Sequence, residues 1–135
     1  MKGILIATHH TLAKALVETS EMLVGKHDFI DYACLMPGCS PDDFREEVST
    51  KIDALNAKGY DEIILMVDMF GGTPCNQSVM LLRDKKIRIV SGVNLPLLYQ
   101  TILQIEDETP AAEMVANLVE DAKETITDVN KIFNM

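Results

Sequence analysis

Three short stretches of this chain carry residue types that can do chemistry. GILIATHH, residues 3 to 10, is an apolar run that stops at a threonine and two histidines, His9 and His10. VDMFGGTPCN, residues 67 to 76, sets Asp68 ahead of Met69, Phe70 and the loop Gly71-Gly72-Thr73, and SGVNLP, residues 91 to 96, brings Asn94 and Leu95. A carboxylate within reach of an imidazole accepts a hydrogen bond from one ring nitrogen, fixes the tautomer and leaves the other nitrogen as a nucleophile or base. Two glycines let a backbone approach closely, and the unbonded N–H groups at the start of a following helix hold an anion such as a phosphoryl group. Nucleophile, orienter and anion cradle are therefore all available. Simpler readings stand beside this one, since an aspartate before Gly-Gly is also a common turn former. A histidine pair could suggest a metal, but successive side chains leaving a strand diverge and no third ligand is evident.

The elements that must position these residues alternate. Residues 2 to 8 read as a first strand, followed by a helix whose apolar positions Leu12, Ala15, Leu16, Met22 and Leu23 recur up to Gly25. FIDYACL, residues 29 to 35, is a second strand. Ser40-Pro41-Asp42-Asp43 is a helix start, with Ser40 as cap, Pro41 first and acidic residues at the positive end. Phe44, Val48, Ile52 and Leu55 mark that helix's buried stripe, and Gly59 closes it. EIILMV, residues 62 to 67, is a third strand taken to end at Asp68, before a helix with Thr73 as cap and Pro74 first. KIRIVSGV, about residues 86 to 93, is a fourth strand, followed by a short helix through Leu103 and a last helix from near Pro110. The tail from Thr125 fits either a helical stripe (Ile126, Val129, Ile132, Phe133) or a strand.

Alternation of this kind predicts an α/β fold: an open, mainly parallel, flavodoxin-like sheet with right-handed crossovers and helices on both faces. In the common strand order 2-1-3-4, strands one and three meet where the order reverses, and ligands bind beyond their carboxyl ends. That topology sends His9 and Asp68 to one crevice. It also leaves Met69, Phe70 and Leu95 in loops at the same edge, as candidates for an apolar surface that meets partners. His27 reads as an exposed turn residue with no role.

Composition narrows the possible partners. The chain has 135 residues, 47% hydrophobic and 24% charged, with no apolar run of membrane-spanning length, so residues 1–135 are expected to form one soluble domain. The N-terminus is read as structure and not a secretion signal, which places the chain in the cytoplasm. Cys34, Cys39 and Cys75 make an odd count without a CxxC pair, which argues against a disulfide framework or zinc knuckle. A net charge of −9 disfavours nucleic acid and anionic membrane surfaces and favours a basic protein partner. Neither GxxxxGK[ST] nor GxGxxG occurs, so no nucleotide or dinucleotide cofactor is suggested.

Taken together and in order, ATHH, VDMFGGTPCN and SGVNLP resemble the IIA domain of the mannose-type sugar phosphotransferase system. That family's usual forms are GTHG, VDxxGGSP or GGTP with a following Asn, and GVNxP, and the similarity runs from residue 2 to about residue 120. The resemblance implies a phosphotransferase component that takes a phosphoryl group from phospho-HPr onto a histidine and passes it to a IIB component for sugar uptake. Carried over by position, His9 is phosphorylated on Nε2, Asp68 orients its ring through Nδ1, and Gly71, Gly72 and Thr73 donate to the phosphoryl oxygens. The resemblance also implies a homodimer, often with a C-terminal antiparallel strand exchanged, and contact with the membrane only through the transporter complex. No cofactor is implied.

Two positions depart from the family pattern: Ala7 and His10 stand where it has glycine. His10 reads as an exposed first-turn residue of the helix, with a second phosphorylation site or a cation near the phosphoryl group as alternatives. Two rival readings of the whole chain are a regulatory module whose phosphorylation state is read by another protein, and a plain anion- or nucleotide-binding flavodoxin-like protein.

Overall fold

In a computed structural model describing residues 1–135, the elements are β1 (Lys2–His9), α1 (Leu12–Val24), β2 (Ile30–Leu35), α2 (Pro41–Ala57), β3 (Glu62–Val67), α3 (Thr73–Val79), β4 (Ile87–Ser91), α4 (Leu95–Gln104), α5 (Ala111–Lys123) and α6 (Val129–Ile132). The four strands form one sheet in the order β2-β1-β3-β4, and all three pairings are parallel. Central strands covered on both faces need apolar residues at every position, and ILIA and IILMV supply them. Successive side chains go to opposite faces, so β1 sends Ile4 and Ile6 to a core shared with α1, α4 and α5, and Leu5 and Ala7 to a second core under α2 and α3. Ile64 and Met66 of β3 join the first core; Ile63, Leu65 and Val67 join the second.

Helix α2 forms for the reasons visible in its sequence. The Asp43 amide donates to Ser40 Oγ at 3.1 Å, Pro41 is the first helical residue, and Asp42 and Asp43 occupy the first turn. Its stripe of Phe44, Val48, Ile52 and Leu55 is buried, each side chain contributing roughly 1.5–3 kcal/mol.

Helix α1 differs from the stripe expected of it. Its buried residues are Ala13, Val17 and Ser20, whereas Leu12, Met22 and Leu23 are exposed and Leu16 is half-buried. Small side chains at i, i+4 and i+7 let the helix axis lie close to the sheet, and this selects the buried face against the larger apolar residues. His27 also differs from expectation: it is half-buried, stacks on Phe29 with centroids 4.7 Å apart, and its Nε2 lies 2.9 Å from the Val24 carbonyl oxygen. The tail resolves as the single helical turn α6, capped by Asp128 accepting from the Lys131 amide, and not as a strand. Ile126, Val129, Ile132 and Phe133 are all exposed.

The two outer strands present different edges. At the middle of β2, the Tyr32 amide donates to Asp31 Oδ1 at 2.7 Å, and the Tyr32 carbonyl accepts from Lys51 Nζ of α2. At the start of β4 the Ile87 amide donates to the Lys85 carbonyl at 3.1 Å. At the amino ends of the strands, the Tyr60 hydroxyl donates to Asp28 Oδ1 at 2.7 Å. This bond, then burial, then the Asp28 charge, hold the phenol above its ordinary 10.0. No helix of the chain is long and apolar enough to cross a membrane.

Candidate functional site

The register of β1 against β3 pairs Ala7 with Val67, so the residues just beyond that pair meet at the carboxyl edge of the sheet. β3 ends at Val67, and Asp68 is therefore the first residue of the loop and not the last of the strand. Its carboxylate faces back to β1. Asp68 Oδ2 lies 2.8 Å from His9 Nδ1 and accepts from the His9 backbone amide at 3.1 Å, so one oxygen fixes both the ring and the main chain. The other oxygen, Oδ1, is buried with no donor, which leaves His9 as the only hydrogen-bonding partner of this carboxylate. An ionised carboxylate only accepts, so Nδ1 carries the ring proton and Nε2 presents a free lone pair.

The opposite wall is the Gly-Gly loop. A β-carbon placed on Gly72 would sit 2.7 Å from His9 Cε1 and 3.4 Å from Nε2, so the imidazole lies directly against this glycine's backbone. Gly71 also turns the chain, with φ +84 and open space around it, and its amide makes no hydrogen bond within the protein. Asn76 Nδ2 donates to the Gly71 carbonyl at 3.0 Å and pins the turn. α3 begins one residue away from expectation in its capping, with Gly72 at the cap position, its carbonyl accepting from the Asn76 amide, and Thr73 inside the helix without a side-chain cap bond. Pro74 has no N–H, and the amides of Gly72, Thr73 and Cys75 make no hydrogen bond within the protein, which leaves three donors at the positive end of α3 beside His9.

Two further residues hold the arrangement and carried no role in the sequence reading. Thr8 is fully buried; its Oγ1 accepts from the Ala13 amide at 2.7 Å, tying the end of β1 to the start of α1. Asn76 is the other, and its signal was its fixed place after Gly-Gly-Thr-Pro-Cys. His10 is not in the first turn of α1. It precedes the cap residue Thr11, with φ +51, and its amide donates to the Leu35 carbonyl at 2.8 Å. Left-handed backbone at a residue with a β-carbon costs on the order of 1 kcal/mol, which accounts for the glycine that the family pattern has here.

Around His9 the surface is apolar. Phe70 is 84% exposed and Met69 56%, so neither is core, while Leu95 is half-buried. Leu12 and Met36, exposed in the neighbouring β1–α1 and β2–α2 segments, extend this rim. The His9 side chain is 44% exposed, and a cavity of about 700 Å³ opens at the opposite edge of the sheet among Lys2, Phe29, Tyr60 and Glu62. A nucleophile in an open crevice with an apolar rim fits a protein surface better than an enclosed small molecule.

Fold and site together define an open α/β protein with an aspartate-oriented histidine beside a helix start whose amides are unbonded, at the point where strand order reverses. A family model described as "PTS system fructose IIA component" matches residues 3–128, and the chain belongs to this family, the fructose- and mannose-type IIA components of the sugar phosphotransferase system. The chain is 30% identical over 126 residues to the "PTS system mannose-specific EIIAB component" of Escherichia coli strain K12, aligning 92% of this chain with 38% of that one. The chain thus spans well under half the length of that curated relative. It is 27% identical to the "PTS system sorbose-specific EIIA component" of Lacticaseibacillus casei, with 97% and 92% of the two chains covered. Among solved structures it is similar to the PTS IIA protein associated with the fucose utilization operon of Streptococcus pneumoniae, with TM-score 0.87, 28% identity and 98% and 96% coverage.

Proposed function

We propose that this chain is a phosphocarrier: His9 Nε2 accepts a phosphoryl group from the phosphohistidine of HPr and passes it to a IIB component during sugar uptake. The observation that carries the reading is the 2.8 Å contact between Asp68 Oδ2 and His9 Nδ1, which leaves Nε2 free beside the start of α3. In each step one P–N bond breaks as another forms in line with it. Attack through Nε2 draws positive charge onto the ring, and Asp68 stabilises that charge across the Nδ1–H bond. Gly71, Gly72 and Thr73 donate to the phosphoryl oxygens in this reading, and the amide of Cys75 adds a donor from the same helix start; none of these four amides has a partner within the protein, which supports it. Catalysis of this kind is positioning and electrostatics, and it needs no cofactor or nucleotide. Met69, Phe70 and Leu95, with Leu12 and Met36, form the surface on which both partners dock in turn.

Both cores share one sheet, which supports reading residues 1–135 as a single IIA domain; as a phosphocarrier between HPr and IIB it works in the cytoplasm and reaches the membrane only through the transporter complex. The reading includes a homodimer, for which β4, an outer strand of the sheet, offers the backbone beyond Ile87 to a strand from a second copy. The test is intact mass after incubation with phosphoenolpyruvate, enzyme I and HPr. One added phosphate, discharged when a IIB component is supplied, is expected; an unchanged mass would overturn the reading.

The orienting role of Asp68 has its own measure. Asp68→Ala removes the tautomer lock and the acceptor for the His9 amide, and phosphoryl acceptance is expected to slow by about 10–100-fold, the usual loss for such a partner. Stopped reactions with phosphorylated HPr give the rate, and a variant as fast as the parent would remove Asp68 from the mechanism.

A further inference from the structure

His10 is unexplained by the folded chain alone. Its backbone is held at φ +51 by the bond from its amide to the Leu35 carbonyl, a position where glycine is at ease. The imidazole offers no packing in return: it is exposed, belongs to neither core, and its one polar contact is local, Nδ1 to Thr11 Oγ1 at 3.2 Å. A strained position that holds a side chain without internal use directs attention to what arrives from outside.

What arrives at His9, on the function proposed above, is a doubly charged phosphoryl group. The lysines and arginines of β1, α1 and α2 are engaged, while Arg88 of β4, two strands away and lining a cavity with Phe70, has no ion-pair partner. Asp68 is bonded to His9, Asp42 pairs with Arg45 at 3.2 Å, and Asp43 lies in the first turn of α2. Arg45 is turned to Gln77 and Met80 of the α3 segment, and Lys14 of α1 pairs with Glu18 at 3.9 Å. None of them bonds the His10 ring. Adjacent Cα atoms are about 3.8 Å apart, so the His10 imidazole leaves the backbone next to the residue that would carry the phosphoryl group, at the same edge of the sheet.

We infer that His10 is the countercharge of the phosphorylated site: its imidazolium form stabilises the phosphoryl group on His9 and makes the carrier's share of phosphate depend on pH. The inference rests on His9 being the acceptor. His10 itself is a poor acceptor, because no carboxylate orients its ring. Linkage sets the sign: phosphate on His9 favours the protonated ring, so the protonated ring favours phosphate on His9, and the effect is present at low pH and lost as the ring deprotonates. A dianion acting on a single cation through water is expected to change phosphate affinity by about threefold.

The test compares the parent with His10→Asn and His10→Gly, both of which accept left-handed backbone. Each is equilibrated with phosphoenolpyruvate-charged HPr across the imidazole range, and the phosphorylated fraction is read by intact mass. The parent is expected to hold phosphate about threefold more strongly than either variant at the acid end and equally at the alkaline end, with the contrast shrinking as salt is added. In parallel, the His10 ring resonance should titrate at higher pH in the phosphorylated protein than in the free one. Equal phosphorylation at every pH together with an unmoved resonance overturns the inference and leaves the carrier reading standing. Phosphate found on His9→Ala overturns it too, by making His10 an acceptor. Absence of phosphate on the parent removes both readings together.

Discussion

His9→Ala is expected to take up no phosphate while folding as the parent does. The side chain is 44% exposed and belongs to neither core, so its removal leaves no cavity. What it disturbs is Asp68, 14% exposed, whose Oδ2 loses the ring donor but keeps the amide of residue 9. Partial loss of hydrogen bonding to a buried carboxylate costs about 1–3 kcal/mol, which shows as a modest fall in melting temperature and not as unfolding. Transfer behaves differently. With the only oriented nitrogen gone there is nothing to form the new P–N bond, and the loss is complete, not graded. Intact mass and a thermal melt on the same sample separate the two effects, and a variant that gains phosphate normally would place the acceptor elsewhere.

Gly72→Ala is expected to slow phosphoryl acceptance by 100-fold or more with stability changed by about 1 kcal/mol or less. Gly72 has φ −79 and ψ 167, backbone that alanine adopts freely, so the substitution is strained by contact alone. The new methyl would meet His9 Cε1 at 2.7 Å and Met69 Cγ at 3.3 Å. The ring must swing away, and it cannot do so while keeping its 2.8 Å bond to Asp68 and its place beside the helix start. Gly71→Ala is the control, because that β-carbon meets nothing but inherits φ +84. It should lower stability by roughly 1–2 kcal/mol through backbone strain. Rates with phosphorylated HPr and denaturant melts on both variants check the contrast; equal rates for Gly72→Ala and the parent would show that the ring does not need this wall.

The frame of this molecule was open to reading before any coordinates. Continuous apolar runs at 3–7 and 62–67, a capped helix at Ser40 and glycine punctuation led to the parallel sheet, and the switch-point rule brought His9 to Asp68. These follow from periodicity and topology, which depend on residue type. The misreadings share another cause. Leu12, Ala15, Leu16, Met22 and Leu23 recur at helical spacing, but the side chains that α1 buries are Ala13, Val17 and Ser20. The surplus apolar residues became surface, and Leu12 now joins Met36 in the rim around His9. His10 was placed one step too far along, inside the helix, since its positive φ arises from the bond to Leu35 of a different strand. The tail gave two answers because its apolar residues find no partner within the chain.

The capped middle of β2 has a consequence for assembly. A sheet with both edges open is divalent, and copies can add at either side without end. Here Asp31 and Lys51 occupy the amide and carbonyl that β2 would offer at Tyr32, so a strand arriving there would first have to displace both, and the edge is blunted at its centre against such growth.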